Sequence, residues 1–397
     1  MNAKNFNRIL AIDIMRGITL FLMLFVNDLY EPGVPKWMVH TKATEDAMGL
    51  ADWVFPGFLF MVGLSIPFAF MSRQKKGEGT AKLLWHIVVR TLSLLLIGVL
   101  MVNIHRLNPE LAGINQNLWA ILVYVSIFLI WNTYPNSKYY NIVFKALKLI
   151  GVIGLIILAF IFKAGTPNDP QWLITSWWGI LGLIGWGYFA TSVTYLLAKG
   201  SFVKVSLIWV LFIALNVLSL LGLLTFLDGI ALYFGVLVSG NVPSIVICGL
   251  LIGMILKKYK LQPDKLFKIL LPFGILVLAS GFVLRNWFII SKIQGTPSWA
   301  MICNGISILV FCVLFFIIDY LKLIKWSAIF KPAGQNSLTT YLAPDIIYFT
   351  IWGLGLNILF YKQEESVLLA VLGSVVWAFA MIGFAALLSK INIKLKL

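Results

Sequence analysis

The chain has 397 residues, 60% of them apolar and only 12% charged, with a mean hydropathy of +0.94, whereas a water-soluble domain carries about 25% charged residues. A soluble globule is thereby excluded, and so is an outer-membrane barrel, because the apolar runs are long and continuous rather than alternating. The net charge of +16 would suggest nucleic acid as a partner in a soluble domain, but here the lysines lie in short connections between apolar runs, where they orient a membrane protein. No nucleic-acid partner is expected.

A membrane-crossing helix needs about 20 largely apolar residues. That rule predicts an all-α, polytopic bundle of about twelve (10–12) transmembrane helices, near residues 9–26, 51–71, 86–104, 118–132, 141–162, 177–198, 205–226, 242–256, 269–290, 299–321, 334–357 and 367–389. Lys4 and Arg8 precede the first run, which carries Asp13 and Arg16 and reaches Val26-Asn27-Asp28 without a small-residue cleavage site. It reads as a retained span rather than a removed signal peptide. Assigning loops alternately, with the N-terminus inside, places most of the 31 Lys and Arg at the cytoplasmic face. The clearest inner loops are Arg73-Gln74-Lys75-Lys76, Lys257 to Lys268, Lys322 to Lys331, and the tail with Lys390, Lys394 and Lys396. Both termini are then cytoplasmic, and this architecture suits a bacterial inner membrane. Residues 1–397 read as a single transmembrane domain, with a catalytic part at 8–130, extra helices at about 141–226 and C-terminal helices at 242–389. Its longest outer connection runs only from Asn27 to Leu50, so chemistry belongs within the bundle or at its rim.

Gly179, Gly182, Gly185 and Gly187, and the pair Gly249 and Gly253, space small residues along helix faces. Close helix packing explains them better than a phosphate loop, since no GxxxxGK pattern occurs, and such stripes would also let two copies pair as a homodimer. Cys248, Cys303 and Cys312 fall inside apolar segments and read as packing residues. The three histidines, His40, His86 and His105, are too scattered for a metal site, and no metal is expected.

Ionisable groups inside a bilayer cost several kcal/mol unless they are paired or face a cavity, so each one flags a candidate site. Asp13 and Arg16 share one helix face three residues apart and read as a structural pair. Asn27 and Asp28 end the first span, His40 lies in the next loop and Asp52 opens the second span, so all four reach one end of the bundle. A histidine beside a carboxylate is a common general-base arrangement, because imidazole titrates near neutrality and the carboxylate fixes its tautomer. A solvated loop histidine and an N-capping aspartate would have the same spacing. Asp345 lies near the middle of the eleventh span, preceded by Asn336, Ser337, Thr340 and Tyr341, a polar stripe that lines a cavity or bonds across helices. Asn304 lies in the tenth span, entered through Thr296-Pro297-Ser298-Trp299.

Several of these residues occur in one order: Arg8-Ile9-Leu10-Ala11-Ile12-Asp13-Ile14-Met15-Arg16-Gly17, Val26-Asn27, His40, Ala51-Asp52 through Val54-Phe55-Pro56, and Phe60-Met61-Val62-Gly63. The pattern resembles the heparan-alpha-glucosaminide N-acetyltransferase family and its bacterial relatives. Arg90-Thr91-Leu92 to Gly98, Gly113-Ile114-Asn115-Gln116, Thr296-Pro297-Ser298-Trp299 and Gly334-Gln335-Asn336-Ser337-Leu338 with Tyr341 are further, weaker matches. The resemblance implies a transmembrane acetyltransferase that takes acetyl from cytoplasmic acetyl-CoA and delivers it to the amine of a terminal glucosamine, or a related amino sugar or oligosaccharide, across the membrane. It makes His40 the catalytic histidine and matches Asn27 to the asparagine ending the first span. The loop from His40 to Gly49 departs from the family, which usually has a Trp and Gly between the histidine and the Asp, and leaves a slightly longer gap before Asp52. Gln116-Asn117 stands where the family often has Gln-Arg, which turns attention to Arg106 or Arg90 for the anionic cofactor.

On this reading His40 is the base, acting directly or through an acetyl-histidine, Asp52 orients it and Asn27 donates to the oxyanion or substrate. Asp28, Arg106, Gln116, Asn117, Asn304, Asn336, Ser337, Tyr341 and Asp345 would line the path of acetyl-CoA and acceptor, with membrane lipid around the bundle. Two other classes fit the same span count: a secondary transporter of a sugar or small solute, and an O-acyltransferase acting on envelope glycans.

Overall fold

The computed structural model describes residues 9–135, 139–260 and 262–397; Lys4 and Arg8 lie outside them. The chain runs α1 (Leu10–Asp28), α2 (Leu50–Gln74), α3 (Thr80–Asn103), a short α4 (Pro109–Ala112), α5 (Gln116–Trp131) and α6 (Asn141–Ile161). A hairpin, β1 (Ala164–Thr166) and β2 (Asp169–Gln171), then leads to α7 (Gly179–Leu197), α8 (Phe202–Leu220), α9 (Asp228–Val238) and α10 (Asn241–Tyr259). The remainder is α11 (Pro263–Leu284), α12 (Pro297–Phe315), a short α13 (Lys331–Gln335), α14 (Ser337–Gly353) and α15 (Val367–Lys390).

The all-α membrane bundle read from hydropathy is the fold. Among the described residues, 10 helical stretches are long and apolar enough to cross a membrane, one of them being Thr225–Tyr259. That stretch joins α9 to α10 through Gly240, whose φ of +67° suits a residue without a Cβ. The two other expected segments are helices of 16 residues, α5, and 17 residues, α14. The antiparallel hairpin β1–β2 was not expected. Apolar side chains such as Ile142, Ile157, Phe160, Val203, Leu207 and Val210 are exposed along α6 and α8, as an integral membrane protein requires of its lipid-facing helices.

Glycines decide which helices touch. A Cβ on Gly63, Gly249 or Gly253 would come within 1.8, 2.0 or 2.4 Å of a carbonyl oxygen on the opposite helix, so α2 and α10 meet backbone to backbone. Gly98 of α3 makes the same approach to the Trp178 carbonyl, 2.3 Å from its would-be Cβ, and Gly182 and Gly185 continue the α3–α7 seam. The glycine stripes therefore lie against neighbouring helices of the same chain. Gly17 and Gly334 do this for α1 and α13, with would-be Cβ atoms 2.0 Å from the Phe330 oxygen and 1.9 Å from the Asp13 oxygen. Around the α2–α10 seam Phe60, Met61, Leu64, Ile247, Leu250 and Phe311 are fully buried. Cys248, Cys303 and Cys312 are buried free thiols in this packing.

Forcing a side chain into such a seam is overpacking, which costs about 1–3 kcal/mol. Gly249→Val is expected to lower the melting temperature in detergent, whereas Gly383→Ala, whose Cβ would meet nothing within 4 Å, leaves it unchanged. Equal melting of the two variants would remove the seam as a constraint on the fold.

Candidate active site

The Asn27–Asp28 end of α1 and the start of α2 share one end of the bundle, and the loop between them carries His40. Asp52 is the third residue of α2, where a carboxylate can reach back to the free N–H groups of the first turn. It does so, accepting from Gly49 N at 3.0 Å. The same carboxylate accepts from Thr41 N and Thr41 Oγ1, both at 3.1 Å, and lies 2.7 Å from His40 Nδ1. One side chain is thus both the helix cap and the partner of the histidine. Asp52 is fully buried while His40 is partly exposed, so the imidazole is held from beneath and open above. In the neutral tautomer set by this bond, Nδ1–H donates to Asp52 and Nε2 carries the lone pair.

The 285–299 segment closes over the loop. Asp46 accepts from Ile290 N at 2.8 Å and from Arg285 Nε at 2.8 Å, and the Ala43 carbonyl accepts from Ser291 Oγ at 2.9 Å and Gln294 Nε2 at 2.8 Å. Trp299 Nε1 donates to the Asp52 carbonyl at 3.1 Å. This docking brings in a cation that sequence reading missed: Lys292 Nζ lies 3.1 Å from His40 Nδ1 and 3.2 Å from Nε2. Burial pushes the Lys292 amine below the usual lysine range, and the Asp52 charge opposes that. Nothing local in the sequence marks Lys292, which is 252 residues from His40.

The other candidates fall into different places. Asp28 is buried and bonded to Tyr348, to Tyr361 at 2.9 Å and to Lys362 at 2.9 Å, so it ties α1 to α14 and to the turn before α15. Burial, with the Asp28 charge beside it, raises the Tyr361 hydroxyl and keeps it a donor. Asn27 lines a cavity of about 210 Å³ with His105, Tyr124, Tyr341, Asp345 and Tyr348. There the mid-helix Asp345 has found its partner, the Tyr124 hydroxyl at 2.5 Å. A second cavity of about 400 Å³, lined by Arg16, Arg90, Tyr188, Ser337, Tyr341 and Lys396, adjoins through the shared Tyr341. Arg16 lies 3.8 Å from Asp13 and donates to the Gly334 carbonyl and to Ser65. Arg90 stacks 4.5 Å over the Tyr188 ring.

Arg106, by contrast, is engaged with Asn103 and with Gln171 of β2, both at 2.7 Å. Gln116 donates to the Ile104 carbonyl at 2.8 Å, Asn117 packs beside Gly353, and the Asn336 carbonyl accepts from Thr340 at 3.1 Å. Asn304 is fully buried with neither side-chain polar atom bonded. Among the described residues no cluster of three or more His, Cys, Asp or Glu could hold a metal.

Residues 8–220 match the family described as Domain of unknown function (DUF5009). The chain is also 34% identical over 140 residues to heparan-alpha-glucosaminide N-acetyltransferase of Mus musculus, a stretch covering 33% of this chain and 21% of that protein. It is 38% identical over 96 residues to the protein of the same name from Homo sapiens, covering 24% of this chain and 14% of the relative. The matched stretches thus span about a fifth or less of the length of these curated relatives. The resemblance read from the motifs holds at this level.

The Asp46 clamp has a pH signature. Its carboxyl is held below the ordinary value of 3.8, first by the Ile290 N–H and then by Arg285, so it stabilises the docked loop above that pH and the contribution is lost as pH falls through the lowered value. Pepsin cleavage between residues 41 and 49 is expected to rise as pH falls below about 4, and in Asp46→Asn to be elevated without that dependence. Identical pH profiles in the two proteins would dismiss the clamp.

Proposed function

Because the chain belongs to the family described as Domain of unknown function (DUF5009), whose description names no reaction, we propose its chemistry from the His40–Asp52 pair and the partial likeness to N-acetyltransferases. The protein is read as a membrane-embedded acetyltransferase that moves acetyl from cytoplasmic acetyl-CoA to the amine of a terminal glucosamine or related amino sugar at the outer face of a bacterial inner membrane. The observation that carries this reading is a partly exposed imidazole with its Nδ1 bonded to a buried carboxylate, on a stretch where the chain matches its family.

Thioester aminolysis forms a C–N bond, breaks a C–S bond and moves one proton from nitrogen to sulfur. His40 Nε2 takes the proton from the attacking nitrogen and returns it to the departing thiolate, and Asp52 stabilises the imidazolium in between. Asn27, exposed in the smaller cavity, supplies an amide donor for the carbonyl oxygen as it gains charge. Arg16, Arg90 and Lys396 in the larger cavity suit the phosphates of acetyl-CoA, and the pantetheine arm passes Tyr341 toward the His40 end. Arg106, bound to the hairpin, has no part in this route.

The test is transfer of labelled acetyl from acetyl-CoA to glucosamine and to short heparan-type fragments, with acetyl-CoA binding measured in parallel. His40→Ala is expected to lose about 10²–10⁴-fold in rate while retaining donor binding. Wild-type rates in a folded His40→Ala protein would overturn the base assignment, and a wild-type protein that binds donor but acetylates no amine would overturn the acceptor class.

A further inference from the structure

We propose that Lys292 sets the charge of His40: its ammonium, lying against the imidazole, disfavours a second positive charge on the ring and so keeps the histidine in its neutral, proton-accepting form. The inference rests on the acetyl-transfer reading above for its purpose, though not for its geometry.

Three groups meet at contact distance: the Asp52 carboxylate, the His40 ring and the Lys292 amine. An ammonium only donates, and a neutral imidazole has one N–H and one lone pair. The amine is about equally far from the two ring nitrogens, 3.1 Å from Nδ1 and 3.2 Å from Nε2, so it lies against the ring rather than on the Nε2 lone pair. An imidazolium would set two cations about 3 Å apart beside one carboxylate. A positive charge on Lys292 therefore disfavours one on His40.

That coupling answers a difficulty in using His40 as a base. A histidine bonded to a buried carboxylate is drawn toward its charged form, in which it cannot accept a proton. A cation on the other side reverses the bias. The charged or titratable groups facing the pair are Asp52 from α2 and the Cys303 thiol from α12; the nearby Asp46 and Arg285 compensate each other. The main chain holds Lys292 in place. Neighbouring Ser291 is bonded through its hydroxyl to Ala43, which fixes the main chain beside Lys292.

The charge of His40 can be read without turnover by carbethoxylation with diethyl pyrocarbonate, which attacks neutral imidazole, followed by peptide mass spectrometry on the full-length protein. His86 and His105, the only other histidines, serve as internal references. In Lys292→Met the pH midpoint for His40 modification is expected to rise by about one pH unit, with the acidic limb of kcat/KM rising alongside it. Lys292→Gln should behave like Met, and Lys292→Arg, which keeps the charge, should keep the wild-type midpoint. A midpoint unchanged in both neutral variants, or shifted equally in Lys292→Arg, overturns the proposal. A midpoint that shifts as expected in a protein without acetyl transfer sustains the charge coupling while the acetyltransferase reading fails.

Discussion

A carboxylate removed from water must find a donor for each of its lone pairs, because an uncompensated buried charge costs several kcal/mol. Asp52 meets that demand with the imidazole of His40, the main chain and hydroxyl of Thr41 and the main chain of Gly49. Those donors lie at the two ends of one short loop, so satisfying a single side chain closes the loop into a ring and fixes its histidine. The Asp52 carbonyl is held in turn by Trp299, which ties the ring to the start of α12. The candidate active site is the surface expression of this buried requirement.

The first helix is similarly constrained along its whole length. Its opening N–H groups at Leu10 and Ala11 donate to Asp319, at 3.1 and 2.8 Å, replacing the bonds a helix start lacks. Its middle crosses α13 through Gly17 and Gly334 with no room for a Cβ, which brings the Arg16 guanidinium to the edge of the larger cavity. Its end is clamped through Asp28 by Tyr361 and Lys362. Arg16 and Asp28, polar residues of α1 that hydropathy alone would count against a membrane span, thus help to place it.

Much of this was legible in the sequence, because hydropathy is a local signal and each apolar run had only to be long enough to be seen. The helix-packing role of Gly249 and Gly253 was legible for the same reason, but their partner on α2 was not, since spacing along one helix says nothing of what faces it. The pairing of His40 with Asp52 could be anticipated from twelve residues of separation and a shared end of the bundle. Lys292 could not: it sits in a short polar turn like any loop lysine, and only the docking of residues 285–294 onto residues 43–47 brings it to His40. Asn27 shows the converse limit, for its nearness to His40 in sequence does not carry it into the same hydrogen-bond network; it faces the cavity with Asp345 instead.

The docking of the histidine loop has a further consequence in time. The bonds from Asp46 to Ile290 and from Ala43 to Gln294 join residues 244 and 251 positions apart, and a ribosome adds about 5–20 residues per second. The loop between α1 and α2 therefore waits for tens of seconds before the segment that covers it is made. Throughout that interval the ring around Asp52 must be held by its local bonds alone. A residue triad assembled from both halves of the chain thus also reports that synthesis of the bundle has passed α11, and the histidine acquires its lysine only after that point.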